Sequence, residues 1–561
     1  MGAVATLLIG RIVEVGDNRM TAALSVGGGG FPIIEFEGRP VAVGQVGAYV
    51  VIRQGSTRVV AMILGAKLEA RPLALSAPNQ VSGGSSQQSA QRGTIELMPL
   101  GELDKNTVFQ RGVIHYPTPG AEVHLVRKDE LAALFRRFRT KEYELGCLPA
   151  MPNVSVFLDP STLFARHLAI LGQSGSGKSW GVASMLQRAV ATMPNAHIIL
   201  LDMHGEYCWR DQHGKRHAAF HEDVYRYVDA RDLEIPYWLL TYAELVDLLI
   251  DRADDKASTQ MAFLREVLLA LRQKANEDMQ GIDISIDSPV YFPLGSLYQQ
   301  FKEANEQVTD FGKVKGALYG QFDEFLIKMQ ARFNDVRYDF LFKPKRRVSS
   351  ATLEDLLRDF VGLRSPRRQI TVIDFSAVPF DVRPTVSAQI GRLAFEFNYW
   401  NPQAREFPIL LVCEEAHAYI PRDQGTQFEG TRRSMERIAK EGRKYGVGLA
   451  VVSQRPHELS ETVLAQCGNY ICLRVTNPDD QEYIRGLVPD AESGLVNILS
   501  SLGRGEAMAM GEALPIPTRF RFFPPDPAPN SNDIDFYRHW REGIQDLDVA
   551  AIVNAWWHQR R

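Results

Sequence analysis

At 561 residues the chain is too long for a single hydrophobic core, and roughly 150 residues per domain predicts about three or four units. Apolar residues make up 45% and charged residues 23%, the balance of an ordinary soluble globular protein rather than a disordered or membrane-embedded one. The net charge of -4 excludes a globally basic nucleic-acid coat and leaves room for a local basic patch or pore.

The N-terminal run MGAVATLLIG lacks the basic region of a secretion signal. Gly2 and Thr6 fit a myristoylation pattern, but a first strand that begins with glycine explains them better. No stretch reaches the ~20 apolar residues of a membrane span. Residues 1–150 carry short, partly alternating apolar runs around 7–15, 47–52 and 59–64, separated by Gly and Asp/Asn turns, which predicts a small β-barrel. Inside this region, 74–94 is Ser/Gln/Gly-rich and too poor in apolar side chains to order itself, so it is expected to be a mobile loop. Cys147, Cys208, Cys413, Cys467 and Cys472 are few, odd in number and mostly in apolar surroundings, which suits reduced core thiols in the cytoplasm.

From 151 to 515 strands alternate with helices, the pattern of a parallel sheet. The expected strands are 167–171, 197–201, 370–373, 409–412, 448–452 and 470–474. Between the second and third, residues 235–350 show apolar spacing of three and four and read as an inserted helical subdomain. After 515, a Pro-rich stretch leads to an amphipathic segment expected to pack on another surface as a brace.

Within the alternating region, Gly172-Gln173-Ser174-Gly175-Ser176-Gly177-Lys178-Ser179 is a complete G-x-x-x-x-G-K-[ST] loop, preceded by an apolar strand run and followed by a helical pattern from Trp180. Glycines let backbone amides turn inward around a phosphate, and the helix N-terminus adds partial positive charge. Residues 172–180 are therefore the expected nucleotide-binding segment, with Lys178 on the β- and γ-phosphates and the Ser179 hydroxyl on magnesium. ATP and Mg²⁺ are the implied cofactors.

A triphosphate hydrolase also needs an acid at the end of a nearby strand. The run Ile409–Cys413 ends in Glu414 and Glu415; the first is expected to hold the magnesium water shell and the second to polarise the attacking water. Asp202 and Glu206 follow another apolar strand in LLDMHGEY. Either could join the site, or the segment could be a plain strand-to-loop turn; the two readings stand level. His213, His217 and His221 recur every four residues but lie in a polar run without aligned acids or thiols, and read as a solvated surface. Gln454, after the strand LAVVS, is a candidate sensor of the γ-phosphate or attacking water. The segment 421–445 is basic.

Taken together, GQSGSGKS, LLDMHGEY, LLVCEEAHAYIP, EGRKYGVGLAVVSQRP and VLAQCGNYICLRVTNPDDQEYI resemble the HerA helicases, hexameric DNA-translocating ATPases of the HerA/FtsK group. The resemblance spans about 165–485. It implies an α/β P-loop NTPase core of RecA type with an N-terminal barrel. It assigns Lys178, Glu415 and Gln454 to catalysis in one subunit and Arg443, in EGRK, to a neighbouring subunit's nucleotide. Many relatives have proline where Met203 stands. The implied function is a homo-hexameric ring that drives double-stranded DNA through a pore, with Arg210, Lys215, Arg216, Arg422, Arg432 and Arg433 as candidate pore contacts. A separate nuclease, sirtuin-like enzyme or other effector is the implied partner, in some cases within anti-phage defence. The alternative is a ring that assembles and activates an effector, with ATP tuning that assembly.

Overall fold

A computed structural model of the chain describes residues 7–16, 19–26, 31–70, 91–211, 214–232, 234–309, 314–380, 382–422, 429–543 and 547–557. It divides into two compact units, the first formed by Met1–Leu163, Leu171–Gly177 and Gly468–Phe523, the second by Phe164–Ile170, Lys178–Cys467 and Pro524–Arg561.

The first unit opens with β1 (Leu8–Val15), β2 (Met20–Leu24), β3 (Ile33–Phe36), β4 (Arg39–Ala42), β5 (Tyr49–Gln54), β6 (Thr57–Ala70), β7 (Gln91–Leu103), β8 (Phe109–Arg111) and β9 (Glu122–Leu125). Antiparallel pairing in the order β2-β1-β9-β5-β6-β7 returns from β7 to β2, which closes a six-stranded barrel, and β8 adds to β7. Closure leaves no free edge on those six strands. Side chains two apart along each strand share a face. Thus Val50 and Ile52 meet Val59, Ala61 and Ile63 in one buried interior with Ile12, Leu97 and Val123. β3 and β4 form a hairpin whose two turn residues, Glu37 and Gly38, both have positive φ, as a two-residue turn with matching twist requires. Of the segment expected to be mobile, 74–90 lies outside the described residues, and 91–94 begin β7.

The same unit holds an antiparallel ribbon built from both ends of its sequence. It uses β10 (Glu144–Leu148) and β11 (Met151–Phe157), which are joined further on by residues from 468 to 523.

In the second unit lie β12 (Leu168–Leu171, its last residue counted with the first unit), β13 (Ile198–Asp202), the short β14 (Cys208–Arg210) and β15 (Arg216–Ala218), and β16 (Tyr225–Asp229). They are followed by the two-residue β17 (Val308–Thr309) and β18 (Val314–Lys315), then β19 (Ile370–Asp374), β20 (Ile409–Cys413) and β21 (Val447–Ser453). β22 (Asn469–Cys472), β23 (Glu506–Gly511) and β24 (Thr518–Phe522) complete the first unit's ribbon in the order β11-β10-β24-β23-β22. The second unit's sheet runs β12-β21-β20-β13-β19-β16. β21, β20, β13, β19 and β16 are parallel, in a register that aligns Ile409 with Val447, Ile198 with Leu410 and Ile198 with Ile370. β13, β19, β20 and β21 are buried along their whole length. Such runs read as continuous apolar strings because a parallel sheet is covered on both faces. Strand, glycine loop and the helix Lys178–Thr192 follow one another, so this is an α/β P-loop NTPase core.

Between β16 and β19 the chain is mainly helical, with Tyr242–Leu249, Ala257–Lys274, Leu294–Glu306 and Asp323–Asn334 as its longer helices. Thr241 and Glu244 form a reciprocal capping box on the first. Phe263, Phe301, Phe322 and Phe325 make an aromatic core with centroids 4.7–5.1 Å apart. Arg272 is fully buried, and its guanidinium donates to the carbonyls of Ile286, Trp238 and Leu240. A buried cation stays in place only when its donors are used in this way.

The C-terminal extension starts against the core. Asp526 N donates to Gln187 Oε1 at 2.9 Å, Gln187 Nε2 to Pro527 O at 2.8 Å, and Asn530 N to Glu206 O at 2.8 Å. Beyond it, the helices Phe536–Glu542 and Val549–Trp557 bury none of their described side chains, and Phe536, Tyr537, Trp540, Trp556 and Trp557 are exposed.

Candidate nucleotide site

The glycine loop adopts a backbone that side chains would obstruct. A Cβ at Gly172 would lie 2.8 Å from Ser176 Oγ and 2.9 Å from Leu473 Cβ. Gly175 and Gly177 have φ of +72° and +102°, a region that glycine enters freely. Gln173 anchors the loop: its amide donates to Arg474 O at 2.9 Å, and its Oε1 accepts from the Thr476 amide at 3.0 Å and hydroxyl at 2.6 Å. Ser174 is exposed, whereas Ser176 Oγ and Trp180 Nε1 are buried without a hydrogen-bond partner.

The loop passes straight into the helix that begins at Lys178. Burial lowers the pKa of the Lys178 ammonium, and the carboxylates of Glu415, Glu414 and Glu206 oppose that shift. The topology explains this convergence. β20 and β13 are adjacent parallel strands, so Glu414 and Glu415 after one, and the 202–207 turn after the other, emerge at the same carboxyl edge. Ligands of open α/β sheets bind at that edge.

Around Lys178 the acids are held by distinct partners. Ser179 Oγ donates to Glu206 Oε2 at 2.5 Å, and the Tyr207 hydroxyl donates to Glu414 Oε1. The Tyr419 hydroxyl donates to the Glu414 carbonyl at 3.0 Å. Burial, with Glu206 and Glu415 nearby, pushes the Glu414 carboxyl up to about 8, while the hydrogen bond from Tyr207 works against the shift. Glu415 has φ +47°, and its buried Oε2 has no hydrogen-bond donor. It lies 3.3 Å from Nδ1 of His417, whose pKa burial lowers; the same nitrogen is 3.2 Å from Ser453 Oγ.

Asp202 is fully buried, with both oxygens occupied by the turn that follows. Oδ1 accepts the amides of Gly205 at 2.8 Å and Glu206 at 3.0 Å; Oδ2 accepts that of Tyr207 at 2.9 Å. Burial raises its pKa to about 7. Asp202 therefore shapes the turn, and Glu206 is the residue the turn presents. Met203 is buried.

The oxygens of Ser179, Glu414 and Glu206 and the undonated Glu415 Oε2 are hard donors of the kind magnesium takes. Among the described residues no three or more His, Cys, Asp or Glu side chains form a metal cage by themselves. Magnesium commonly takes one or two protein ligands and completes its shell with phosphates and water.

Gln454 follows β21 and is half-buried beside the strand that ends in the paired acids. Arg443 is exposed on the 3-10 turn Gly442–Tyr445. Arg210, Lys215, Arg216 and Arg433 are exposed, but Arg432 is buried and paired with Glu436 at 3.0 Å. Of the three histidines, His213 lies outside the described residues, and His217 pairs with Asp211 at 2.8 Å. Sequence reasoning missed Tyr207, His417 and Ser453. Their one legible signal is a polar residue ending, or following, a strand that is otherwise apolar.

Two family models match the chain: "Helicase HerA, central domain" over residues 143–393 and "Helicase HerA-like C-terminal" over 409–515, together well over half of it. Among its relatives, it is 26% identical to the DNA double-strand break repair helicase HerA of Sulfolobus acidocaldarius, covering 78% of this chain and 80% of that protein. It is 27% identical to the protein of the same name from Pyrococcus furiosus, with 76% of each covered. A probable one from Methanocaldococcus jannaschii is 28% identical, over 80% of this chain and 89% of that protein. Among solved structures it is similar to VirB4 of Thermoanaerobacter pseudethanolicus, at TM-score 0.44 and 17% identity, covering 70% of this chain and 97% of that one. With the glycine loop, its lysine and the paired strand-end acids in place, the chain belongs to the HerA helicase family of ATP-hydrolysing P-loop enzymes.

Proposed function

We propose that the chain is an ATP-driven double-stranded DNA translocase that works as a homo-hexameric ring in the cytoplasm. The observation that carries this reading is the convergence of Glu414, Glu415 and Glu206 on Lys178, at the edge where the glycine loop ends. In this reading residues 172–180 hold the phosphates, and Lys178 neutralises charge on the β- and γ-phosphates. Ser179 and Glu414 would hold magnesium, which supplies charge neutralisation on the phosphate oxygens when bound. Glu415 accepts the proton of the attacking water, and its undonated Oε2 suits that role. Gln454 senses the γ-phosphate.

Arg443 reaches the neighbouring subunit's nucleotide, which its exposure supports. A ring repeats each exposed cation around its axis, so Lys215, Arg216 and Arg433 can make a positive pore in a mildly acidic chain. Arg432 is committed to Glu436 and is left out of that set. The relatives' repair role supports DNA as the substrate. A separate nuclease or sirtuin-like effector, acting in repair or anti-phage defence, completes the proposal.

The test is ATP hydrolysis with and without double-stranded DNA across a salt series. Hydrolysis stimulated by DNA and lost in Lys178→Ala is the expected result. Hydrolysis indifferent to DNA at every salt concentration would sink the translocase reading.

A further inference from the structure

The turn 203–207 reaches both residues assigned above to magnesium. Glu206 accepts the Ser179 hydroxyl proton at 2.5 Å, and the next residue, Tyr207, donates its hydroxyl to Glu414 Oε1. A serine hydroxyl has one proton and two lone pairs, so a fixed acceptor for the proton also fixes where the lone pairs point. A carboxylate that accepts a donor on one oxygen is likewise held in rotation, with its other oxygen left for a ligand.

The turn itself is rigid. The buried Asp202 carboxylate takes the amides of Gly205, Glu206 and Tyr207, so two neighbouring side chains are delivered from one anchored backbone. A further hydrogen bond, from Asn530 N to Glu206 O at 2.8 Å, holds the same residue from the C-terminal side. Tyr207 is fully buried and stacks at 6.3 Å on Phe220, which fixes the ring behind its hydroxyl.

From these contacts we infer that Glu206 and Tyr207 are positioning residues for magnesium, one orienting the Ser179 hydroxyl and the other the Glu414 carboxylate. The inference rests on the magnesium–nucleotide reading above. It gives the 202–207 segment a function that neither a bare strand-to-loop turn nor a direct metal ligand would have. Residues behind metal ligands commonly matter almost as much as the ligands, and removing one typically costs about 10–100-fold in metal affinity.

The experiment titrates Mg²⁺ into the full-length protein with a fluorescent ADP analogue and reads the Mg²⁺ concentration that gives half of the metal-dependent gain in nucleotide affinity. Glu206→Ala and Tyr207→Phe should each raise that concentration about tenfold or more, with metal-free nucleotide affinity unchanged. Glu206→Gln keeps an acceptor oxygen for the serine and should stay close to wild type. If Glu206→Gln behaves like Glu206→Ala, the effect is one of charge, and the orienting role is overturned. If both affinities fall together, the residues serve folding only, and the inference fails. A wild-type chain that responds to Mg²⁺ while Glu206→Ala and Tyr207→Phe respond identically overturns this inference alone. A wild-type chain that ignores Mg²⁺ overturns the magnesium reading with it.

Discussion

Glu415 holds a left-handed backbone, φ +47°, one residue beyond Glu414, which follows the fully buried strand Ile409–Cys413. A non-glycine residue in such a region costs on the order of 1–3 kcal/mol, and the cost persists where the surroundings over-determine the geometry. Glu414 and Glu415 both lie near enough to Lys178 for their carboxylates to oppose the burial-driven lowering of its pKa. Glu415→Gln keeps the shape and removes the base, so kcat for ATP should fall by about 10²–10⁴ while nucleotide binding survives. Glu415→Gly should abolish turnover too, yet stabilise the protein by about 1 kcal/mol, read as a raised thermal midpoint. His197 gives a pH-dependent prediction in the same unit. It stacks on Phe407 at 3.8 Å, and burial, with Arg367 beside it, lowers its pKa to about 4. Unfolding restores an ordinary imidazole near 6.5, so the unfolded chain binds the extra proton between these values. Its contribution is therefore complete above pH 6.5 and is lost as pH falls toward 4. His197→Gln should flatten the wild-type decline in chemical-denaturation stability across that window.

At the scale of elements, the parallel strands were legible because burial on both faces leaves an unbroken apolar run, as in Ile409–Cys413. The helical insertion was legible by its spacing of three and four, but its cohesion was not. That depends on Phe301, fully buried among Phe263 of one helix and Phe322 and Phe325 at the start of another. Phe301→Ala should cost about 3–5 kcal/mol, seen as a lower-temperature calorimetric transition. β16 (YRYVD) was not anticipated, because its alternating polar residues carry no unbroken apolar signal. The final helices illustrate the opposite case. Their apolar residues predicted packing on a surface, and within this chain Trp540, Trp556 and Trp557 remain exposed.

For the whole molecule, the proposed ring makes hydrolysis a shared property. Lys178→Ala and Arg443→Ala should each be inactive alone, and mixing them should restore part of the activity, because some interfaces then pair an intact Lys178 with an intact Arg443. Activity that never recovers on mixing would argue that Arg443 acts within its own subunit. DNA affinity should fall with a log–log salt slope of about −0.9 for each phosphate neutralised. Lys215→Ala should shallow that slope, whereas Arg432→Ala, removing a buried ion pair, should act on stability instead.

The sequence by itself determined the motifs on which the proposed chemistry rests: the glycine loop with Lys178 and Ser179, and the acids that end apolar strands. These are contiguous motifs whose function follows from a few backbone geometries. It left open whether Asp202 or Glu206 serves the site, because both follow the same strand within four residues of each other. Only the tertiary structure separates their surroundings. Asp202 is fully buried, where an unpaired carboxylate is costly, so it binds its own turn; Glu206 is left half-buried and facing Ser179. Tyr207 on Glu414 and His417 against Ser453 are likewise contacts between segments distant in the chain. Such contacts exist only once parallel strands have brought their carboxyl ends together.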